Sequence, residues 1–179
     1  MKKLFFLSAV CAVFFLFSGC ERIKELSTVN VPVAKVEFNF EAMEIGAMRA
    51  DMSSFEWTRR LSLTDVSASL EQYDVTYFKG ATCESASVRV YSPDGTAGNV
   101  EDFKIVTTNG LSFTKSAYTL GDTYSGNDLV TFAGNLIFYM LTKPPFDLTV
   151  SGKTDLAPGE KIAVDVQILD IVVTVQLLK

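Results

Sequence analysis

The sequence predicts a mainly β domain, a single antiparallel sandwich of about seven or eight strands with one apolar helix near residues 128–141. Three observations point there. Apolar and polar residues alternate with period two in several separate stretches, as half-buried strands require. Turn-forming runs, Pro93-Asp94-Gly95, Gly98-Asn99 and Asn109-Gly110, divide those stretches. One stretch keeps helical spacing over its whole length, and nothing repeats with a period of roughly 20–50 residues, which argues against a solenoid or propeller. A partly closed barrel is the alternative arrangement of the same strands.

The chain opens on a different kind of text. Lys2 and Lys3 precede residues 4–17, an apolar run of fourteen broken only by Ser8. A membrane-spanning helix needs about 20 apolar residues, so this run is short for a span. A cationic start, a short apolar core and small residues after it read as a secretory signal peptide. The run closes with Phe17-Ser18-Gly19-Cys20, which resembles the lipobox of bacterial lipoproteins, in which two small residues precede an invariant Cys. That resemblance covers residues 1–20 only. It implies cleavage before Cys20, diacylation of the Cys20 thiol and acylation of the new amino terminus, making Cys20 the lipid attachment site. Under the same resemblance, Glu21 in place of Asp after the Cys favours the outer over the inner membrane. Residues 21–179 resemble no family.

Cleavage sets the domain organisation: residues 1–19 signal peptide, 20–30 lipidated tether, 31–179 sandwich. Loss of Lys2 and Lys3 takes the basic count from 16 to 14 against 21 acidic residues, so the net charge moves from −5 to −7 over 160 residues. An acidic body is not drawn to anionic lipid. The acyl chains must do the anchoring, at about 0.8 kcal/mol per buried methylene, with two or more chains needed for a stable hold.

Residues 31–40 form the first strand, with Val36, Phe38 and Phe40 on one face and Lys35, Glu37 and Asn39 on the other. Residues 41–54 read as a long connection. Phe55, Trp57, Leu61 and Leu63 mark a second strand, with an irregularity at Arg59-Arg60. Capping residues at Thr64-Asp65 and the spacing of Val66, Leu70 and Tyr73 predict a short helix near 66–73. Strands follow at 85–91, 103–108 and 111–120. Asn109-Gly110 lies between the last two, and its tolerance of positive φ predicts a type I′ hairpin turn.

Leu129, Phe132, Ala133, Leu136, Ile137 and Met140 then recur at three- and four-residue steps, and Val130, Phe138 and Tyr139 widen the stripe. A helix so apolar is buried on most sides or covers the open end of a sandwich or barrel. Lys143-Pro144-Pro145 ends it, because the residue before a proline avoids the helical region. Residues 146–150 are a strand, 151–159 a turn region and 161–178 a long β segment. In that segment Ile162, Val164, Val166 and Ile168 share one parity, whereas Leu169, Ile171, Val173, Val175 and Leu177 share the other. A change of parity within one segment predicts a bulge or bend near Leu169-Asp170, or two strands joined tightly there.

The residue inventory narrows the chemistry. The chain has no His, which removes Ser-His-Asp and Cys-His nucleophile activation and His-ligated zinc. G-x-S-x-G, P-loop and G-x-G-x-x-G patterns are missing as well. Clustered Lys and Arg are absent, so no nucleic-acid footprint is expected. Glu41 with Glu44, or Asp165 with Asp170, are nominal carboxylate pairs of the kind glycoside hydrolysis uses, but 21 acidic residues supply such pairs by chance. Asp122, Asn127 and Asp128 hint at calcium, yet their spacing is not that of an EF-hand, and Asp128 suits a helix start. Of the three Cys, Cys11 leaves with the signal peptide, Cys20 carries lipid, and Cys83 remains as a buried structural thiol. Trp57, Tyr73, Tyr77, Phe78, Tyr118 and Tyr124 belong either to the core or to a binding platform.

These readings describe a membrane-anchored envelope lipoprotein without catalytic residues, cofactor or metal, engaging a protein or glycan partner. The alternative is a carrier of a hydrophobic small molecule in a cavity beneath the 128–141 helix.

Overall fold

The computed structural model describes residues 27–46 and 52–177. Cys20, and with it the predicted signal peptide and most of the tether, lies outside the described residues.

The described residues form eight strands: β1 (Thr28–Glu44), β2 (Ser53–Leu61), β3 (Phe78–Tyr91), β4 (Asn99–Thr107), β5 (Ser112–Thr119), β6 (Thr123–Tyr124), β7 (Phe146–Thr154) and β8 (Lys161–Gln176). They form two antiparallel four-stranded sheets, β1-β8-β3-β6 and β2-β7-β4-β5. First pairs with last, second with seventh, third with sixth and fourth with fifth. That nesting is the jelly-roll form of the sandwich, a long antiparallel ribbon rolled so that its halves face each other. The sheets do not close into a barrel, so the sandwich prediction holds and the barrel alternative does not.

Fully buried Phe38, Phe103, Ile105, Leu148 and Val164 fill the space between the sheets. The alternation read in the sequence places them there. β1 is longer than predicted at both ends, and its extension takes in part of the expected connection at 41–54. β3 begins at Phe78, well before the expected residue 85.

Near Leu169-Asp170, where a bulge or bend or a tight junction of two strands is predicted, β8 runs on as one strand and changes parity together with β1 and β3. Asp170 adopts a left-handed φ of 52°. Buried residues on β8 switch from Ile162, Val164, Val166 and Ile168 to Ile171, Val173 and Val175. The pairing register runs through this point without a shift, from Lys35↔Leu169 to Val33↔Ile171 on one side and from Ser85↔Leu169 to Cys83↔Ile171 on the other. Ala34 and Glu84 therefore share a rung with Asp170, and β1 changes parity there too, from Val36 and Phe38 to Val33. The opposite sheet changes parity on β4 alone, where the β4–β7 register shifts between Glu101 and Lys104 while β7 keeps one parity. Asp102 has φ 52°, and buried residues pass from Val100 to Phe103 and Ile105 across it. An Asp suits both places because its short polar side chain tolerates the left-handed region.

Three local expectations are corrected. β2 pairs with β7 without interruption through Arg59↔Leu148 and Arg60↔Asp147, so there is no irregularity. Arg59 occupies an inward-row position, where its guanidinium lies 5.4 Å from the Phe38 ring centroid and binds Asp65 at 3.1 Å. The predicted helix at 66–73 is instead a series of short 3-10 turns, Leu63–Asp65, Ala68–Gln72 and Val75–Tyr77, and Leu63 belongs to the first of them rather than to β2. The β4–β5 hairpin turns where Asn109-Gly110 predicts, but only Gly110 has positive φ, at 87°. The Gly110 N–H donates to Thr107 O and the Thr107 N–H to Leu111 O, both at 2.9 Å. That is a three-residue loop with a left-handed Gly at its end, not a two-residue type I′ turn.

The helix, α1 (Asn127–Thr142), falls within a residue or so of its predicted limits. It packs chiefly on the first half of β3. A Cβ added at Gly134 would lie 3.4 Å from the Ala81 carbonyl oxygen, so helix and strand backbones approach closely. Phe132 meets Phe113 of β5 at 6.0 Å between ring centroids. Among the described residues, no helix is long and apolar enough to cross a membrane.

Candidate functional site

On the side of the sandwich where β5 and β6 are the edge strands, an open groove of about 420 Å3 runs over β4, β5 and the β6 segment. β4 contributes Asn99 and Glu101, β5 contributes Lys115 and Tyr118, and the β6 segment contributes Asp122 and Tyr124. The β5–β6 return, turning at Gly121 with φ 92°, folds the two tyrosines against each other, 6.4 Å between centroids and edge to face.

Tyr118 is the structural centre of this groove. Its ring is buried against Phe103 at 5.9 Å, its hydroxyl donates to the Val88 carbonyl of β3, and the same oxygen accepts the Tyr124 N–H at 3.0 Å. One phenol thus links both sheets at their open edge. Burial pushes its pKa up to about 12, partly opposed by the Tyr124 N–H, while the Asp122 charge adds to the rise. Tyr118 is therefore a neutral tie and not a proton donor near neutrality.

Tyr124 is more accessible. Its hydroxyl donates to Asp128 Oδ1 at 2.7 Å, the Lys115 ammonium sits 4.2 Å from its ring centroid, and Phe113 packs at 5.8 Å. The Tyr124 hydroxyl holds the Asp128 carboxyl below the usual carboxylate range, and the Leu129 N–H and Lys115 charge act in the same sense. A general acid requires the opposite shift. Asp128 also accepts the Leu129 N–H at 2.9 Å in the first turn of α1, the position expected for it at a helix start. At the far end of the groove Asp155 accepts the Asn99 N–H at 2.6 Å and the Asn99 side chain at 2.8 Å, tying β4 to the end of β7.

The other nominated residues are dispersed. Asp165 and Asp170 are separated by about 16 Å of strand at 3.3 Å per residue, too far for a shared sugar. Glu41 and Glu44 are exposed on edge strand β1. Asp122 lines the groove while Asp128 is engaged at the helix start, and among the described residues no group of acidic, Cys or His side chains is arranged to hold a metal. Cys83 is half-buried, its thiol donating to the Val130 carbonyl at 3.5 Å, and burial raises its pKa. It is thus a packing residue between β3 and α1. Trp57 is half-buried between Phe40 and Phe55, its indole N–H donating to the Glu41 carbonyl at 3.0 Å. Tyr73 meets Phe78 at 6.3 Å. Of the six nominated aromatics, Tyr118 and Tyr124 meet in this groove. Lys115 joins them from the same strand as Tyr118, and Glu101 joins them through β4–β5 pairing that local sequence does not display.

No protein-family model matches the chain, and no curated protein matches it. Among solved structures it is similar to the decameric BFDV capsid protein, at 11% identity and TM-score 0.42, covering 83% of this chain and 99% of that one. It is similar also to Desmodium yellow mottle tymovirus, at 12% identity and TM-score 0.25 over 85% and 84% of the two chains. For turnip yellow mosaic virus the values are 10%, 0.28, 83% and 93%. At these scores the likeness does not extend to function.

Proposed function

We propose that the chain is an envelope lipoprotein, acylated on Cys20 and held in the outer membrane, whose jelly-roll domain is a non-catalytic module binding a protein or glycan partner. The observation that carries this reading is the ordered run of Lys2-Lys3, the apolar stretch 4–17 and Phe17-Ser18-Gly19-Cys20. The groove at β4, β5 and β6 is the partner site. It offers an ammonium, carboxylates and an aromatic ring on rigid strands, a mixture suited to hydroxyl- and amide-bearing partners. The carrier alternative has less support. Leu129, Leu136 and Ile137 are fully buried, and the helix backbone at Gly134 lies against β3.

Two measurements test the reading. Radioactive palmitate fed to expressing cells labels the wild type and not Cys20→Ser; labelling of Cys20→Ser contradicts acylation at that thiol. Pull-down from solubilised envelopes retains a partner with the wild type and loses it with Glu101→Lys or Lys115→Glu. Retention of the same partner by both variants removes the groove from the proposal.

A further inference from the structure

The β1-β8-β3 sheet is divided by charge at the Ala34–Asp170–Glu84 rung. Beyond it, residues 28–34 of β1 and 171–176 of β8 carry no charged side chain, and Lys79 is the only one on residues 78–83 of β3. On the other side, Lys35, Glu37, Glu41, Asp165 and Arg89 restore the usual charged surface. The inward apolar rows also run past their cover at the end whose one charge is Lys79. Along β1, Val33 is buried, Val31 half-buried and Val29 42% exposed; along β8, Val175 is fully buried and Leu177 is 46% exposed. Val75, just before β3, is 52% exposed. Of the four large apolar side chains exposed among the described residues, Val29 and Leu177 lie at this end of the sheet, and Val75 lies in the 3-10 turn that leads into it, three residues before Phe78, which pairs with Val175.

This end is also where the chain arrives from Cys20. The Leu177 N–H donates to the Ser27 carbonyl at 2.9 Å, fixing Ser27 at the edge of the same lip. The seven steps from Cys20 to Ser27 reach at most about 25 Å when fully extended. A domain of this size has a radius of gyration of roughly 15 Å, so that reach does not let the anchor pass freely around it.

We propose that the lip formed by Val29, Val75 and Leu177, with a half-sheet behind it whose one charged side chain is Lys79, seats in the interfacial region of the bilayer that holds the acyl chains of Cys20. The proposal rests on the lipoprotein reading and adds an orientation to it. Uncharged Thr28, Asn30 and Pro32 enter the hydrated interfacial region at less cost than ionised Lys35 and Glu37, so the rung at Ala34 limits how far the sheet approaches. Seated this way, the domain holds its charged half-sheet away from the lipid.

The test uses the mature protein purified from membranes and reconstituted into vesicles of phosphatidylethanolamine and phosphatidylglycerol. In a Cys83→Ser background, a bimane fluorophore is placed singly through Val29→Cys, Val75→Cys, Leu177→Cys and, as reference, Glu101→Cys. Orientation at the membrane predicts blue-shifted emission and loss of iodide quenching at the first three positions, quenching there by nitroxide lipids, and neither effect at Glu101→Cys. Equal iodide quenching at all four positions in protein that floats with the vesicles overturns the orientation while leaving the anchor intact. Shielding of the three lip positions in detergent micelles that grows with protein concentration assigns the lip to a second copy of the chain and also overturns it. Protein whose N-terminal peptide lacks acyl mass fails the underlying reading instead, and mass spectrometry before reconstitution separates that case.

Discussion

Tyr118 shows how one side chain serves both packing and polarity at the open edge of the sandwich. Its ring meets Phe103, and its hydroxyl satisfies a β3 carbonyl and a β6 N–H together. Tyr118→Phe keeps the ring and strands both backbone partners, so urea unfolding followed by Trp57 fluorescence should show a loss of about 1–3 kcal/mol. The pH dependence has a definite sign. The folded pKa is raised from 10.0 to about 12, so the neutral phenol is the form the fold holds. Its contribution is complete below about pH 10 and is lost as pH rises toward 12. Wild-type stability should therefore fall across that alkaline window more steeply than that of Tyr118→Phe; parallel curves contradict the assignment. None of this coupling is visible locally, because Val88 lies 30 residues from Tyr118 and meets it only across the sandwich edge.

The strands depend on a few backbone positions. Asp170 supports a parity change while three strands keep register, with a left-handed φ that ordinary L-residues reach only at a cost of about 1–2 kcal/mol. Asp170→Val should lower stability by about that amount and Asp170→Gly should not; equal loss in both places the effect elsewhere than in the backbone. Gly152 is a second such position. It pairs with Phe55, whose ring atom Cζ would stand 2.6 Å from an added Cβ. Gly152→Ala must push that buried ring off its rotamer, and about 1–3 kcal/mol of destabilisation is expected in the same assay. The apolar stripe of α1 and the parity change in β8 were both legible in the residue pattern, since each is a repeat within one segment. Val31 and Val33, off-parity from Val36 and Phe38, carried the same signal for β1. The 3-10 turns at 63–77 were not legible, because weak spacing over so few residues does not distinguish a helix from successive turns. Arg59 hid the regularity of β2, since its inward position depends on Asp65 and Phe38 receiving its charge and its plane.

At the scale of the molecule, alternation yields the sandwich, but nesting of first with last strand comes from contacts distant in sequence. Thr28 pairs with Gln176, almost the full length of the described chain. The groove inherits that limit: Tyr118 and Tyr124 are near neighbours in sequence, yet Glu101 and Asn99 reach them only through β4–β5 pairing. The division of the β1-β8-β3 sheet into a charged half and one that carries only Lys79 needs the register as well, because its three segments are scattered through the sequence. The proposed anchor rests on local sequence alone, and the account of function depends on it. Mass spectrometry of the N-terminal peptide of the mature protein tests that claim most directly. The account predicts a peptide beginning at Cys20 and carrying the mass of two or three acyl chains; an unacylated peptide beginning at any other residue contradicts it.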